Sequence, residues 1–302
     1  MAQTDHRSVY ETVTNQIIGQ LEDGALPWVQ PWGVPDGATP LGLPTNGATR
    51  NTYSGINILI LWGAAFQQTR TTQTWLTFKQ ALSLGGCVRK GAQGTKVVYA
   101  DRFISKAEQE RASQKDEDPQ AIAFLKRYTV FNADQCDGLP EELFQTAEPL
   151  PPCEVHQDAQ SVISATGADL RIGGHKAFYV PSEDYIQVPP QPSFHAQINY
   201  YRTCFHELGH WTGHHSRLNR NFKGRNGSQP YAREELVAEL ASAFVCAALK
   251  IKPTVRHADY IATWLELLHS DDRAIFHAAS QASKAADLIL VDHRAKAASL
   301  AA

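Results

Sequence analysis

The residues best suited to chemistry in this sequence lie between Phe205 and Trp211, which read Phe-His-Glu-Leu-Gly-His-Trp. On an α-helix, residues four positions apart lie one turn apart on the same face, so His206 and His210 can bind one ion. Glu207 would then lie beside the metal and could take a proton from water, as in zinc proteases. The pattern favours a metal site with Glu207 as the general base. Two histidines on an ordinary amphipathic helix would give the same letters.

A catalytic zinc site needs a third protein ligand, and the residues just downstream do not offer one. The metzincin pattern has its third histidine where this chain has Ser216. His214 continues the four-residue spacing, but on a straight helix it would lie ~12 Å from His206, too far for one ion. His214 is therefore expected to be a supporting or surface residue.

The next helical segment, Tyr231 to about Leu249, supplies a better candidate for the third ligand. Glu235 and Glu239 lie one turn apart on it, and the gluzincin arrangement takes a glutamate from the following helix. We predict that Glu235 binds the metal and that Glu239 orients a ligand imidazole. Glu234 is expected to be solvated, but it stays an alternative to Glu235 because a shift of one residue would exchange them.

Length and composition predict two globular domains. The chain has 302 residues, of which 43% are hydrophobic and 20% charged. Gly138 and the prolines at 140, 149, 151 and 152 predict a linker over 139–154, between domains at 1–138 and 155–302. The fold class expected is α+β, in which a small α+β domain precedes a zincin-like, gluzincin-type metallopeptidase domain of several helices and a small sheet.

The cysteine pattern and the apolar content bear on the compartment. Five cysteines are scattered through the chain without a C-x-x-C pair, which favours a reducing cytoplasm. No apolar run approaches the ~20 residues that span a bilayer, and the first residues do not resemble a signal peptide. We therefore expect a cytoplasmic protein with no membrane partner.

The first domain has an uneven charge distribution, although the whole chain carries a net charge of only −3. Residues 37–100 contain no Asp or Glu, and aromatic residues lie among their cations. Cations can follow phosphates and exposed aromatic rings can stack on unpaired bases, which favours single-stranded over double-stranded DNA. The alternative is a core of aromatic residues beneath ordinary solvated cations. The candidate DNA contacts are Arg50, Tyr53, Trp75, Lys79, Arg89, Lys90 and Lys96.

Periodicity predicts elements along the whole chain. Helices are expected over 8–26, 53–66, 75–84, 231–249, 260–268 and 272–290, and around the H-E-x-x-H segment with Ser193 as its N-cap. Strands are expected over 96–99, 127–132, 169–172, 177–180 and 185–188. Residues 106–119 are charged and nearly free of hydrophobic side chains, which predicts an exposed excursion.

Taken together in this order, the motifs make the chain resemble the ArdC-type plasmid antirestriction proteins over nearly its full length. The motifs of the first half are Pro27-Trp28 with Pro31-Trp32, Tyr53-Ser-Gly-Ile-Asn57, Leu61-Trp62, Trp75-Leu-Thr-Phe-Lys-Gln80, Gly85-Gly-Cys-Val-Arg-Lys-Gly91 and Val130-Phe-Asn132. Those of the second half are Ala177-Phe-Tyr179, Tyr200-Tyr201, His206-Glu-Leu-Gly-His-Trp-Thr-Gly-His214, Ser216-Arg-Leu-Asn-Arg220 and Tyr231-Ala-Arg-Glu-Glu-Leu-Val-Ala-Glu239.

The resemblance implies a plasmid-encoded cytoplasmic protein that binds single-stranded DNA and shields incoming DNA from host restriction. It implies one zinc ion, for which another divalent transition metal could substitute, in a zincin-like site. Whether that site cleaves a protein, such as a subunit of a restriction enzyme, stays open. Two alternatives remain: a DNA-binding module in which the metal is only structural, and a DNA-stimulated protease that acts on DNA-bound proteins.

Overall fold

The computed structural model of the protein describes residues 8–23, 28, 42–103, 111, 122–144, 156–194, 198–222, 228–251, 261–291 and 293. For Phe66, residues 100–103 and residues 122–125, it describes the backbone only. Apart from Arg111, the predicted excursion at 106–119 lies outside the described residues, as does the predicted linker from residue 145 on.

Helices and short strands alternate along the chain. The helices are α1 (Val9–Glu22), α2 (Ile56–Gln67), α3 (Phe78–Ser83), α4 (Gln157–Ala165), α5 (Ile198–Trp211), α6 (Gln229–Ala248), α7 (Ile261–Ser270) and α8 (Ala274–Ile289). The strands are β1 (Thr45–Asn46), β2 (Thr74–Leu76), β3 (Cys87–Val88), β4 (Thr95–Phe103), β5 (Ile122–Asn132), β6 (Cys136–Asp137), β7 (Asp169–Ile172), β8 (Phe178–Val180) and β9 (Tyr185–Val188). This α+β architecture confirms the predicted fold class.

The first half is built on a four-stranded sheet in the order β1-β2-β5-β4, in which β4 and β5 form a long antiparallel ribbon. Helix α2 is apolar on nearly every side, so it can pack on the sheet with one face and on other helices with another. Its Asn57 side chain accepts a hydrogen bond from the amide of Val98 and donates one to the carbonyl of Val98. Asn57 therefore satisfies part of the open edge of β4.

Two predictions for this half are wrong. The segment from residue 75 to residue 84 does not begin as a helix, because Trp75 lies in β2 and Thr77 caps a shorter helix in a reciprocal pair with Gln80. Residues 139–144 were predicted to belong to the linker, but Leu143 is buried in a cluster with Leu76 and other residues of the first half. Burial of the apolar side chains holds this segment on the first half, although its turn-forming residues favour a linker.

The second half carries a three-stranded sheet in the order β7-β9-β8, with β8 antiparallel to β9 at one edge. The three strands lie where the sequence predicts them. Helix α5, which contains the H-E-x-x-H segment, begins at Ile198 and not directly after Ser193, which ends a short 3-10 turn. Ser193 is therefore not the N-cap of α5.

The two halves share one hydrophobic core. Trp28 packs against Trp264 with ring centroids 5.4 Å apart, and Trp62 of α2 packs against Phe244 of α6 at 5.9 Å. The buried face of α1 packs on α7. This continuity holds the cationic half against the helices that carry the histidines. Among the described residues, no helix is both long enough and apolar enough to cross a bilayer.

Candidate metal centre

Helices α5 and α6 pack unusually closely at the centre of the H-E-x-x-H segment. A Cβ atom on Gly209 would lie 3.0 Å from the Cα of Ala238, so the glycine and the alanine permit this approach. The approach brings side chains from both helices into one cluster. The nearest donor atoms of His206, His210 and Glu235 all lie within 4.8 Å of one another.

The spacing of these atoms suits a metal ion. The Nε2 atoms of His206 and His210 each lie 3.5 Å from a different carboxylate oxygen of Glu235. Two ligands ~2.1 Å from a tetrahedral ion are ~3.4 Å apart, so the separations match those of a coordination sphere. Two imidazoles and one carboxylate are also the donor set of many catalytic zinc sites.

Behind each imidazole lies a buried carboxylate. The Nδ1 atom of His206 is 3.5 Å from Glu239, and the Nδ1 atom of His210 is 3.2 Å from Glu234. A proton on Nδ1 facing a carboxylate leaves the Nε2 lone pair directed at the cluster. The expectation that Glu234 is solvated is wrong: it is buried behind His210, on the side away from Glu235.

Each of these carboxylates is paired in turn with a buried arginine, which sequence reasoning missed. Arg202 contacts Glu239 at 2.5 Å, and the two side chains are 3% and 1% exposed. Arg220 contacts Glu234 at 2.8 Å and also donates to the carbonyl of Gly209 at 2.6 Å near the end of α5. Arg202 lies four residues before His206, so the two side chains share one face of the helix. This spacing is the one signal that could have indicated that Arg202 contacts Glu239, the carboxylate behind His206.

The protonation of the cluster follows from these contacts. Burial alone would lower the pKa of His206, but hydrogen bonds to Glu235 and Glu239 outweigh it and raise that pKa to about 10. Burial would raise the pKa of Glu235, whereas its hydrogen bond with His206 and the charges of both histidines lower it to about 2. The metal-free cluster thus holds a proton that a dication would displace.

Glu207 projects into the same cleft but faces a different environment. Burial raises its pKa above the usual value, against the opposing charges of His206 and His210. The backbone amide of Tyr179, on the edge strand β8, hydrogen-bonds to its carboxylate. The cleft is a cavity of about 450 Å³. Its lining includes Phe178, Tyr179, Phe222, Tyr231 and the charged residues of the cluster.

Tyr231 is a third residue that sequence reasoning missed. It lies one turn before Glu235 on α6, and its side chain hydrogen-bonds to the Glu235 carboxylate. Because Tyr231 also lines the cleft, its hydroxyl borders the space that a substrate would enter. The spacing of Tyr231 and Glu235 could have revealed this contact, but tyrosines are too frequent in this half of the chain to single one out.

The predicted DNA contacts are divided by the structure into buried and exposed residues. Trp75 is 0% exposed in the core beneath the four-stranded sheet, so its prediction as a stacking residue is wrong. Tyr53 is half-buried and packs against the same core. The cations Arg50, Lys79, Arg89, Lys90 and Lys96 are exposed.

Two of the exposed cations already have acidic neighbours. Arg50 contacts Glu142 at 3.2 Å, and Arg89 contacts Asp137 at 3.1 Å. Arg89 and Lys90 also line a surface depression of about 460 Å³, together with Arg70 and several glutamines. This depression lies at the turn that leads into β4.

Comparisons with known proteins agree with the two-part organisation. Residues 7–131 match the model of the N-terminal domain of the anti-restriction factor ArdC, and residues 157–281 match a zincin-like metallopeptidase model. The metal-free crystal structure of the antirestriction protein ArdC from plasmid R388 is 38% identical in sequence. It superposes with a TM-score of 0.80 over 95% of this chain and 98% of that one. This chain belongs to the ArdC antirestriction family.

Further proteins and structures are similar to this chain over most of its length. The Mn(II)-bound structure of the R388 protein is 37% identical, with a TM-score of 0.78 and the same coverage. An uncharacterized protein of Sinorhizobium fredii, y4eC, is 41% identical over 92% of this chain and 90% of its own length. A DNA primase TraC of Escherichia coli is 38% identical over 93% of this chain, which spans only 27% of the primase.

The contribution of the Arg202–Glu239 pair to stability and metal binding can be tested in this ArdC family member. Glu239→Ala is expected to lower the free energy of unfolding of the metal-free protein by about 3–5 kcal/mol, because it leaves a buried guanidinium without its partner. Metal affinity should also fall by about 10- to 100-fold, because His206 loses the carboxylate that orients it. Urea unfolding and a metal titration measure the two effects.

The matched control for this change is Glu266→Ala, at an exposed position on α7. A surface substitution of this kind should change stability by less than about 0.5 kcal/mol. A Glu239→Ala protein as stable as the control would contradict a supporting role for the buried pair.

Proposed function

We propose that this protein binds single-stranded DNA through its first half and protects incoming plasmid DNA from restriction endonucleases. We further propose that its second half is a zinc metallopeptidase-type centre. His206, His210 and Glu235 would be the metal ligands, and Glu207 the general base. Double-stranded DNA is a secondary ligand, and a protein associated with restriction is the proposed peptide substrate.

One observation carries the enzymatic part of this proposal. Two imidazoles and a carboxylate converge at distances that suit one ion, and a buried acid outside this set, Glu207, faces the same cleft. A purely structural metal site would not require an additional buried carboxylate beside a cavity, since such sites are closed. The R388 relative has a Mn(II)-bound structure, which supports the binding of a divalent metal.

The chain's own residues can perform the steps of peptide hydrolysis. A bound dication would supply Lewis acidity to a peptide carbonyl and to water. Glu207 would take a proton from the attacking water and pass it to the leaving amine, a task for which its raised pKa is suited. Edge strand β8 can align an extended peptide along the cleft, as exposed strand edges do in peptide recognition.

The DNA-binding part is tested on the wild-type protein with fluorescent oligonucleotides. We expect tighter binding to single strands than to the same sequence as a duplex. The logarithm of the affinity should fall linearly with the logarithm of salt, by about 0.7 for each phosphate contacted. Addition of the protein should also slow restriction digestion of plasmid DNA. Absence of binding to any DNA at low salt would overturn this part of the proposal.

A further inference from the structure

Two tyrosines stand out on the ribbon formed by β4 and β5. Tyr99 is 59% exposed and Tyr128 is 45% exposed, although aromatic rings of this size are usually buried. Their ring centroids are 6.4 Å apart at an interplanar angle of 78°. In the ribbon register Tyr99 lies opposite Lys126 and Tyr128 lies opposite Val97, so the tyrosines are diagonal neighbours on one face.

The same face of the ribbon is buried near one end and exposed further along the strands. Val97 and Val130 are buried against α2 in a cluster that also contains Leu61 and Trp75. Two residues further along the strands from these valines, the face leaves the core and presents Tyr99 and Tyr128 to solvent. The core is complete without the two rings, which are therefore available to a ligand.

Positive charge lies on both faces of the ribbon near the exposed rings. Lys126, opposite Tyr99, belongs to the face of the rings, whereas the exposed Lys96 and Arg127 belong to the other face, because successive side chains of a strand alternate. The cationic turn at Arg89–Gln93, which lines the surface depression, leads directly into β4. Positive charge beside open aromatic rings complements a polyanion with exposed bases.

We infer that the Tyr99–Tyr128 pair is the base-stacking platform for single-stranded DNA, and that Lys126, on the same face of the ribbon, holds an adjoining phosphate. The ligand class rests on the proposed function, whereas the location rests on the exposed rings and charges of the ribbon. An unpaired strand fits better than a duplex, because duplex bases are already stacked on their neighbours and their faces are closed. The site replaces the buried Trp75 as the source of stacking.

The experiment measures the binding of a fluorescent oligothymidylate of about 16 nucleotides to the full-length protein by anisotropy. The double variant Tyr99→Ala with Tyr128→Ala should bind at least about 25-fold more weakly, since each lost stack costs at least about 5-fold. The matched control, Tyr99→Phe with Tyr128→Phe, keeps both rings and should bind within about 2-fold of wild type. An abasic oligonucleotide of the same length should bind wild type and the alanine variant equally.

A second pair of variants separates charge from stacking. Lys126→Ala should lower the salt dependence by up to about 0.7, the value for one lost phosphate contact. Lys284→Ala, at an exposed position on α8, should leave it unchanged. The melting temperature of each variant establishes that it is folded during the measurement.

The outcomes distinguish this inference from the proposed function. Wild-type protein that binds no single-stranded DNA would contradict the proposed function itself. Wild-type binding that the folded alanine variant retains would overturn the platform alone, and would assign the tyrosine pair to stabilising the ribbon. Loss of binding in the Arg89→Ala with Lys90→Ala variant but not in the tyrosine variant would move the site to the neighbouring depression.

Discussion

Replacement of Glu207 by glutamine is expected to lower peptide hydrolysis by about 10²- to 10⁴-fold while the metal content stays the same. Glutamine keeps the size and hydrogen-bonding capacity of the side chain but cannot accept the proton of the attacking water. Because Glu207 is not among the three clustered donors, its charge is not needed to hold the ion. The measurement compares cleavage of an unfolded protein substrate, with and without single-stranded DNA, with elemental analysis of the same samples.

The control for this prediction is Glu266→Gln, which removes an exposed carboxylate of α7 and should leave hydrolysis unchanged. Full hydrolysis by the Glu207→Gln protein would exclude the proposed general base. The same variant also addresses protection of DNA. If it still slows restriction digestion as wild type does, protection depends on DNA binding and not on peptide hydrolysis.

Removal of a metal ligand should have the largest effect on metal binding itself. His210→Ala and Glu235→Ala are each expected to abolish stoichiometric binding, because two remaining ligands cannot complete a stable site. Wild-type protein with the ion at 100 times its dissociation constant should gain about 2.7 kcal/mol of stability. That gain corresponds to a rise of about 4 °C in the melting temperature for a chain of this length, which both variants should lack.

A thermal melt with and without added Zn²⁺ or Mn²⁺, combined with elemental analysis, measures this effect. His277→Ala, at an exposed position on α8, is the matched control and should retain the full shift. An unchanged shift in the Glu235→Ala protein would remove this residue from the ligand set. The Glu234→Ala variant distinguishes Glu234 from its neighbour Glu235. Because Glu234 lies behind His210 and not among the clustered donors, its loss should leave some metal binding.

Local pattern was sufficient to predict most elements of the fold. The helical spacing of Val13, Ile17 and Leu21 predicts α1, and the alternation around residues 185–188 predicts β9. Prediction failed where long-range pairing decided the structure. Trp75 pairs with Asn132, which is far away in the sequence, and this pairing holds it in a strand although its neighbours favour a helix.

The candidate site was predictable to the extent that it depends on spacing within a helix. His206, Glu207 and His210 share one helix, and Glu235 and Glu239 share the next, so each set could be found from its four-residue repeat. The exposed tyrosines could not be found in this way. Whether an aromatic residue is buried depends on which face of which strand the core covers, and local pattern did not reveal that Tyr99 is exposed and Trp75 buried.

The sequence alone therefore determined the donor types, their helical register and the cationic bias of the first half, because these depend on composition and on spacing over a few residues. The tertiary structure decided which glutamate faces both Nε2 atoms and which lies behind a histidine. Glu234 and Glu235 are neighbours in the chain, but the helical rotation between them points one at Arg220 and the other at both Nε2 atoms. The close packing of Gly209 on Ala238 is one of the contacts that fix how α6 lies against α5.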